Sequence, residues 1–156
     1  MAKFPTRVES SVTVKAPIEK VYKYLWDVVG SATCIPGLAS CKKAGKDTYR
    51  FVYDDRSAMG ITMTVRYTAA YTGDSKGRIA FVGTAGKDDN TDVDGELRLA
   101  KSGAGTKITL TQTLAPDTPV PSLLQRLVKS FAEKEASGGA EEYLANVKQA
   151  LEGKKG

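Results

Sequence analysis

The chain contains no histidine. That removes imidazole acid–base chemistry at neutral pH, and with it Ser-His, Cys-His and Cys-His-Asn nucleophilic machinery. Only two cysteines are present, Cys34 and Cys41. Without histidine they cannot by themselves complete a four-ligand zinc site, and two reduced, half-buried thiols are expected. No run of about 18 apolar residues exists, so no helix is expected to span a membrane. The opening MAKFPTRVES lacks the apolar core of a signal peptide, which points to a cytoplasmic location. No P-loop occurs, and no GxGxxG opens a helix. The Asp88-Asp89-Asn90-x-Asp92-x-Asp94 cluster lacks the glycine and terminal glutamate of a calcium loop and reads as a solvated hairpin. Neither a metal nor a cofactor is expected.

What remains is a chain of 156 residues, 41% hydrophobic and 26% charged. Those values fit one domain, residues 1–156, with enough length to bury a core. Net charge is +5, but the lysines are dispersed among apolar residues. A basic pair, Lys154 and Lys155, lies in the tail. Nucleic-acid binding, which concentrates basic residues on one face, is therefore not expected. Weak attraction to an anionic membrane is compatible with the charge and is not indicated by it.

The hydrophobic pattern orders the elements. Thr6 to Lys15 alternates as a half-buried strand. After Ala16-Pro17, the residues Ile18, Val21, Tyr22, Leu25, Trp26 and Val29 recur at helical spacing until Gly30, and a short second helix ends at Pro36-Gly37. A series of strands follows: Ser40–Ala44, Thr48–Asp54, Ile61–Tyr71, Arg78–Ala85, Thr91–Ala100 and Thr106–Leu114, joined by Gly- and Asp-rich turns. Ile61–Tyr71 reads as the longest. Ala115 to Pro121 carries three prolines and reads as a linker. A long helix then runs from near Ser122 to about Leu151. The class is α+β: an antiparallel sheet of about six or seven strands, curved around a long C-terminal helix, with two short helices after the first strand.

Element order and three local signatures resemble the START-like, or polyketide cyclase and lipid-transport (SRPBCC), superfamily with its helix-grip fold. The first signature is Val14-Lys15-Ala16-Pro17-Ile18-Glu19-Lys20-Val21-Tyr22. The second is Cys34-Ile35-Pro36-Gly37, similar to a turn of the superfamily branch that supplies an accessory protein of carbon monoxide dehydrogenase. The third is Pro119-Val120-Pro121-Ser122-Leu123-Leu124, leading into the last helix. The resemblance implies a deep cavity between sheet and helix for lipids, polyketides, quinone-like compounds or other apolar molecules. It does not fix the ligand, because one fold serves many functions.

A small-molecule pocket needs apolar walls and a few polar anchors. The alternation turns Tyr49, Phe51, Tyr53, Met63, Tyr67, Phe81 and Leu97 inward, together with Gln112. Tyr53, Tyr67 and Gln112 are the candidate anchors. Trp26 and Ile35-Pro36 would sit near one end, and Met59-Gly60 would form a loop at the entrance. The last helix begins its sheet-facing stripe with Leu124, Leu127, Val128 and Phe131 and ends it with Tyr143, Leu144, Val147 and Leu151. Between them lie Ala132, Ala136, Gly139 and Ala140. Such small residues produce a kink, a close approach to the sheet, or space for a guest.

Three functions compete at this stage. One is a binding or carrier protein for a hydrophobic small molecule, contacting it through Trp26, Leu124, Val128, Phe131 and the strand residues above. Another is a cyclase or dehydratase that holds a polyketide-like chain folded; no inward carboxylate offers itself as a base, which disfavours it. A third is an accessory protein that docks a membrane or a protein complex, as the resemblance to the carbon monoxide dehydrogenase branch implies. Monomer and homodimer both remain open.

Overall fold

The structure is a computed structural model. It describes Ala2–Lys3, Pro5–Ala58, Gly60–Thr84, Gly86, Asp88–Thr118 and Val120–Gly153; the side chains of Ala2, Lys3, Arg56, Ala58, Met63, Thr118 and Ser122 are outside the description. The expectations for Met59, Pro119 and the Lys154-Lys155 tail, and for the side chain of Met63, therefore lie outside the described residues.

The strands are β1 (Ala2–Lys3), β2 (Thr6–Val14), β3 (Leu38–Gly45), β4 (Thr48–Tyr53), β5 (Arg56–Ala58), β6 (Ile61–Met63), β7 (Arg66–Gly73), β8 (Arg78–Gly83), β9 (Thr91–Ser102) and β10 (Gly105–Thr118). The helices are α1 (Ile18–Trp26), α2 (Val28–Ser31) and α3 (Gln125–Glu152), with single 3-10 turns at Ala32–Cys34 and Ser122–Leu124. One antiparallel sheet runs in the order β1-β10-β9-β8-β7-β4-β3, and β2 lies beside β10 next to β1. β5 and β6 form a separate hairpin. Tyr53 of β4, Phe81 of β8, Leu97 of β9, Leu110 of β10 and Ala136 of α3 border one cavity, so the sheet curls about the helix. The architecture is the α+β helix-grip arrangement that the pattern implies.

Local chemistry explains the joints. Pro17 precedes α1, whose buried residues are Val21 and Leu25. Asp27 ends α1 with ψ of 80°, and its carboxylate accepts a hydrogen bond from the Gly30 amide at 3.2 Å. One acid thus stops one helix and caps the next, three residues before the Gly30 stop that spacing suggests. At the β2–α1 corner, buried Thr106 donates its hydroxyl to the Ala16 carbonyl at 2.8 Å.

Two expectations need correction. Ile61–Tyr71 is not one strand, because the ladder breaks at Thr64–Val65. There Asn90 donates its side-chain amide to the Thr64 carbonyl at 2.6 Å, and its side-chain oxygen accepts from the Arg66 amide at 2.9 Å. Nor is Ala115–Pro121 a linker throughout, since β10 continues to Thr118. Pro116 pairs with Thr91 of β9, while the β2 partner ends at Leu114. On that side Pro116 falls in the gap between the β2 pairs, which end at Leu114, and the β1 pairs, which begin at Asp117, where its missing N–H removes no bond from either ladder.

α3 packs along β2. Its C-terminal half joins the main core through Ala140, Leu144, Val147 and Leu151. Its first turns form a second, smaller cluster, in which Val128 and Ala132 pack with Ile61, Val120, Leu124 and Phe131. Hydrogen bonds pin the C-terminal half. Asn146 donates to the Cys34 carbonyl at 3.0 Å, Lys148 to the Thr13 carbonyl at 3.0 Å, and the Lys15 amide to Glu152 at 2.8 Å. Among the described residues no helix is long and apolar enough to cross a membrane.

Candidate functional site: an aromatic cavity under the last helix

Between the two clusters of α3 lies a cavity of about 460 Å³. One wall is a run of rings built by cross-strand register. Phe51 stands opposite Tyr67, and their rings stack at 4.9 Å between centroids. Tyr71 stands opposite Phe81, with centroids 5.4 Å apart. Tyr53 extends the run past Tyr67 at 6.1 Å. Beyond Phe81 the same row continues through Gly95 to Gln112. A Cβ at Gly95 would lie 2.8 Å from the Phe81 ring and 2.9 Å from the Gln112 Cα. Gly95 therefore leaves the space in which the Phe81 ring lies.

The roof is the middle of α3: Phe131, Ala132, Ala136, Gly139, Ala140 and Tyr143. α3 is continuous through this stretch. A Cβ added at Gly138 or Gly139 would meet nothing within 4 Å. Close approach to the sheet is thus not what these glycines serve; they border open space.

The polar groups inside are phenols and one amide. The Tyr53 and Tyr67 hydroxyls are 3.4 Å apart and share a hydrogen bond. Burial pushes the Tyr53 phenol above its ordinary pKa. Burial, and then the neighbouring Tyr53, pushes Tyr67 well above. Burial, then Tyr143, does the same to Tyr71, and burial raises Tyr143. All four remain neutral donors at physiological pH. Among the described residues, nothing hydrogen-bonds the Gln112 side-chain amide, which borders the cavity. The charged lining residues Asp54, Lys134, Glu135 and Glu142 are solvent-exposed and mark the mouth.

The structure brings Phe51, Tyr53, Tyr67, Phe81, Leu97, Gln112 and Phe131 to this one cavity, with Ile35 and Pro36 at its border. Three other candidates lie elsewhere. Trp26 stacks on Tyr22 at 6.2 Å and packs against Gly73; the Tyr22 hydroxyl accepts from the Ser75 amide at 2.9 Å. Trp26 thus clamps α1 to the β7–β8 turn. Leu124 and Val128 belong to the smaller cluster at the start of α3. Leu127, placed on the sheet-facing stripe by its spacing, is 56% exposed. Sequence reasoning misses Tyr71 and Tyr143 as contacts. Tyr71 shares the alternating face of Tyr67, and Tyr143 lies on the sheet-facing stripe of the helix, so both signals are present in the pattern.

The other motifs are structural. Asp89 accepts from the Arg50 guanidinium at 3.2 Å, and the Asp88 carbonyl accepts from Arg66 at 3.0 Å, which ties the acidic turn to the sheet. Cys34 and Cys41 are unbridged. Burial pushes the Cys41 thiol up to about 11, the opposite of a reactive thiolate.

This fold and cavity agree with the sequence comparisons. A family model for polyketide cyclase / dehydrase and lipid transport proteins matches residues 5–152. The chain belongs to that family. Among solved structures it is similar to the Zhui aromatase/cyclase of Streptomyces sp. R1128, at 20% identity and a TM-score of 0.66, covering 95% of this chain and 94% of that one. It is also similar to a START superfamily protein of Mycobacterium smegmatis, at 15% identity and a TM-score of 0.66, covering 94% and 97%. A protein of Deinococcus radiodurans matches at 24% identity and a TM-score of 0.58, covering 86% and 98%. At these identities the likeness concerns the fold. No curated protein matches the sequence.

Proposed function

We propose that residues 1–156 act as one domain that binds and carries a hydrophobic small molecule. Phe51, Tyr53, Tyr67, Phe81, Leu97, Gln112 and Phe131 would contact it, joined by Tyr71 and Tyr143. The observation that carries this reading is the cavity itself: about 460 Å³, walled by rings and roofed at its centre by the small residues Ala132, Ala136, Gly139 and Ala140. In small sealed voids, destabilisation grows by about 24 cal/mol per Å³. A dry, sealed cavity of this size would then cost on the order of 11 kcal/mol, comparable to the whole stability of about 5–15 kcal/mol. The space must hold water or a guest, and a guest that covers the rings recovers about 25 cal/mol per Å² of apolar surface.

A thermal-shift panel of a naphthoquinone, a flavone and palmitate tests the idea. One or more should raise the melting midpoint in a concentration-dependent way. Gln112→Leu and Tyr67→Phe should weaken the shift for ligands with a carbonyl. A panel without any shift argues against carriage.

One observation favours a second reading, a cyclase-like enzyme. Paired neutral phenols and an unbonded amide that border the same cavity could hold polar groups of a reactive chain and fix it in one conformation. Such an enzyme would turn over a polyketide-like substrate and lose that turnover in Tyr67→Phe. Because every cavity tyrosine is pushed away from ionisation, none supplies a base at neutral pH, and binding without catalysis is the better-supported function.

A further inference from the structure

We propose that the end of the molecule built by the β5–β6 hairpin and the start of α3 docks on an anionic lipid bilayer. Leu123 is 93% exposed and Leu127 is 56% exposed. Four residues apart, they occupy one side of the helix start. Leu124 and Val128 turn the other way, into the cluster with Ile61 and Val120. Packing thus satisfies one apolar side of this segment and leaves a second one bare.

The charged residues nearest the leucines along the start of the helix are basic. Residues 120–132 contain Arg126 and Lys129 and no acid; residues 56–63 contain Arg56 and no acid. Both Arg126 and Lys129 are exposed. The acids begin at Asp55, at the base of the hairpin, and at Glu133, on the next turn of the helix. Leucines that stand out into solvent, with Arg126 and Lys129 exposed beside them, match a fluid surface with negative headgroups and an apolar interior.

The position also serves the cavity. Phe131 and Ala132 belong both to this cluster and to the cavity wall. A poorly soluble guest passing between bilayer and cavity would pass these two residues. This last step rests on the carrier reading; the docking itself does not.

The test is sedimentation of the full chain with phosphatidylcholine vesicles, with and without phosphatidylserine. Binding should require phosphatidylserine and weaken as salt rises. Leu123→Asp/Leu127→Asp should lower the partition coefficient by at least about tenfold, and Arg126→Glu/Lys129→Glu should remove the phosphatidylserine dependence. All four side chains are exposed, and unchanged melting curves would verify folding. Three results would each overturn the proposal: no sedimentation with either vesicle, undiminished binding of the leucine variant, or a self-dimer in solution that the leucine variant dissolves. The thermal-shift panel, run without vesicles on the same variant, separates the two proposals. Shifts without vesicle binding leave the carrier and remove the docking; vesicle binding without shifts does the reverse.

Discussion

The Phe81 ring lies against Gly95 on the neighbouring strand, so near that a methyl group at position 95 would come within 2.8 Å of it. The same methyl would run into the Thr111 carbonyl oxygen of β10. Backbone cannot yield as a flexible side chain can. Gly95→Ala should therefore destabilise by about 1–3 kcal/mol or more, as overpacking does, and should move the ring that walls the cavity. Denaturant unfolding checks the first effect. Loss of a ligand-induced thermal shift checks the second.

The helix glycines should behave in the opposite way. Nothing stands within 4 Å of a Cβ at Gly138 or Gly139, and glycine in a helix costs about 1 kcal/mol relative to alanine. Gly138→Ala should stabilise by about that amount and raise the melting midpoint by about 2–4 °C. A melt of the purified variant decides it, and a lowered midpoint would mean that α3 approaches the sheet more closely than described.

Stability should fall at alkaline pH. Tyr53, Tyr67, Tyr71 and Tyr143 all ionise at higher pH in the folded protein than in the unfolded chain, chiefly because they are buried. The unfolded state then loses protons that the folded state keeps. Stability is thus unaffected below about pH 9 and declines above about pH 10, by up to about 1.4 kcal/mol per pH unit for each such tyrosine. Urea unfolding at pH 8 and pH 11 measures the decline. Tyr67→Phe/Tyr71→Phe should make it shallower.

Trp26 offers a control. Its ring joins α1 to the β7–β8 turn and does not border the cavity. Trp26→Phe should lower stability by about 1 kcal/mol while leaving the ligand-induced shift intact. A lost shift with normal stability would place Trp26 in the site after all.

Much of this arrangement is legible in residue order. In β9, Val93, Leu97 and Leu99 are buried, while Asp92, Asp94 and Arg98 are exposed, as two-residue alternation demands. The aromatic wall follows from the same rule in β4 and β7. The break at Thr64–Val65 is not legible, because alternation runs on unchanged across it. Its cause, the Asn90 side chain, lies 26 residues away and replaces a strand partner that no local pattern reveals. The spacing misplaces Leu124, Leu127 and Val128 for a related reason. Helical periodicity shows that an apolar stripe exists but not where the cavity stops along it, and here the first turns of α3 meet a separate hairpin.

The most direct measurement is mass spectrometry of the chain as expressed, under native conditions and after organic extraction. The account predicts a retained apolar compound that is present in the native protein and absent from Gly139→Phe, whose added ring would occupy the space beneath α3. A native protein that carries nothing, together with a Gly139→Phe variant whose melting and thermal-shift responses match those of the parent, would contradict it.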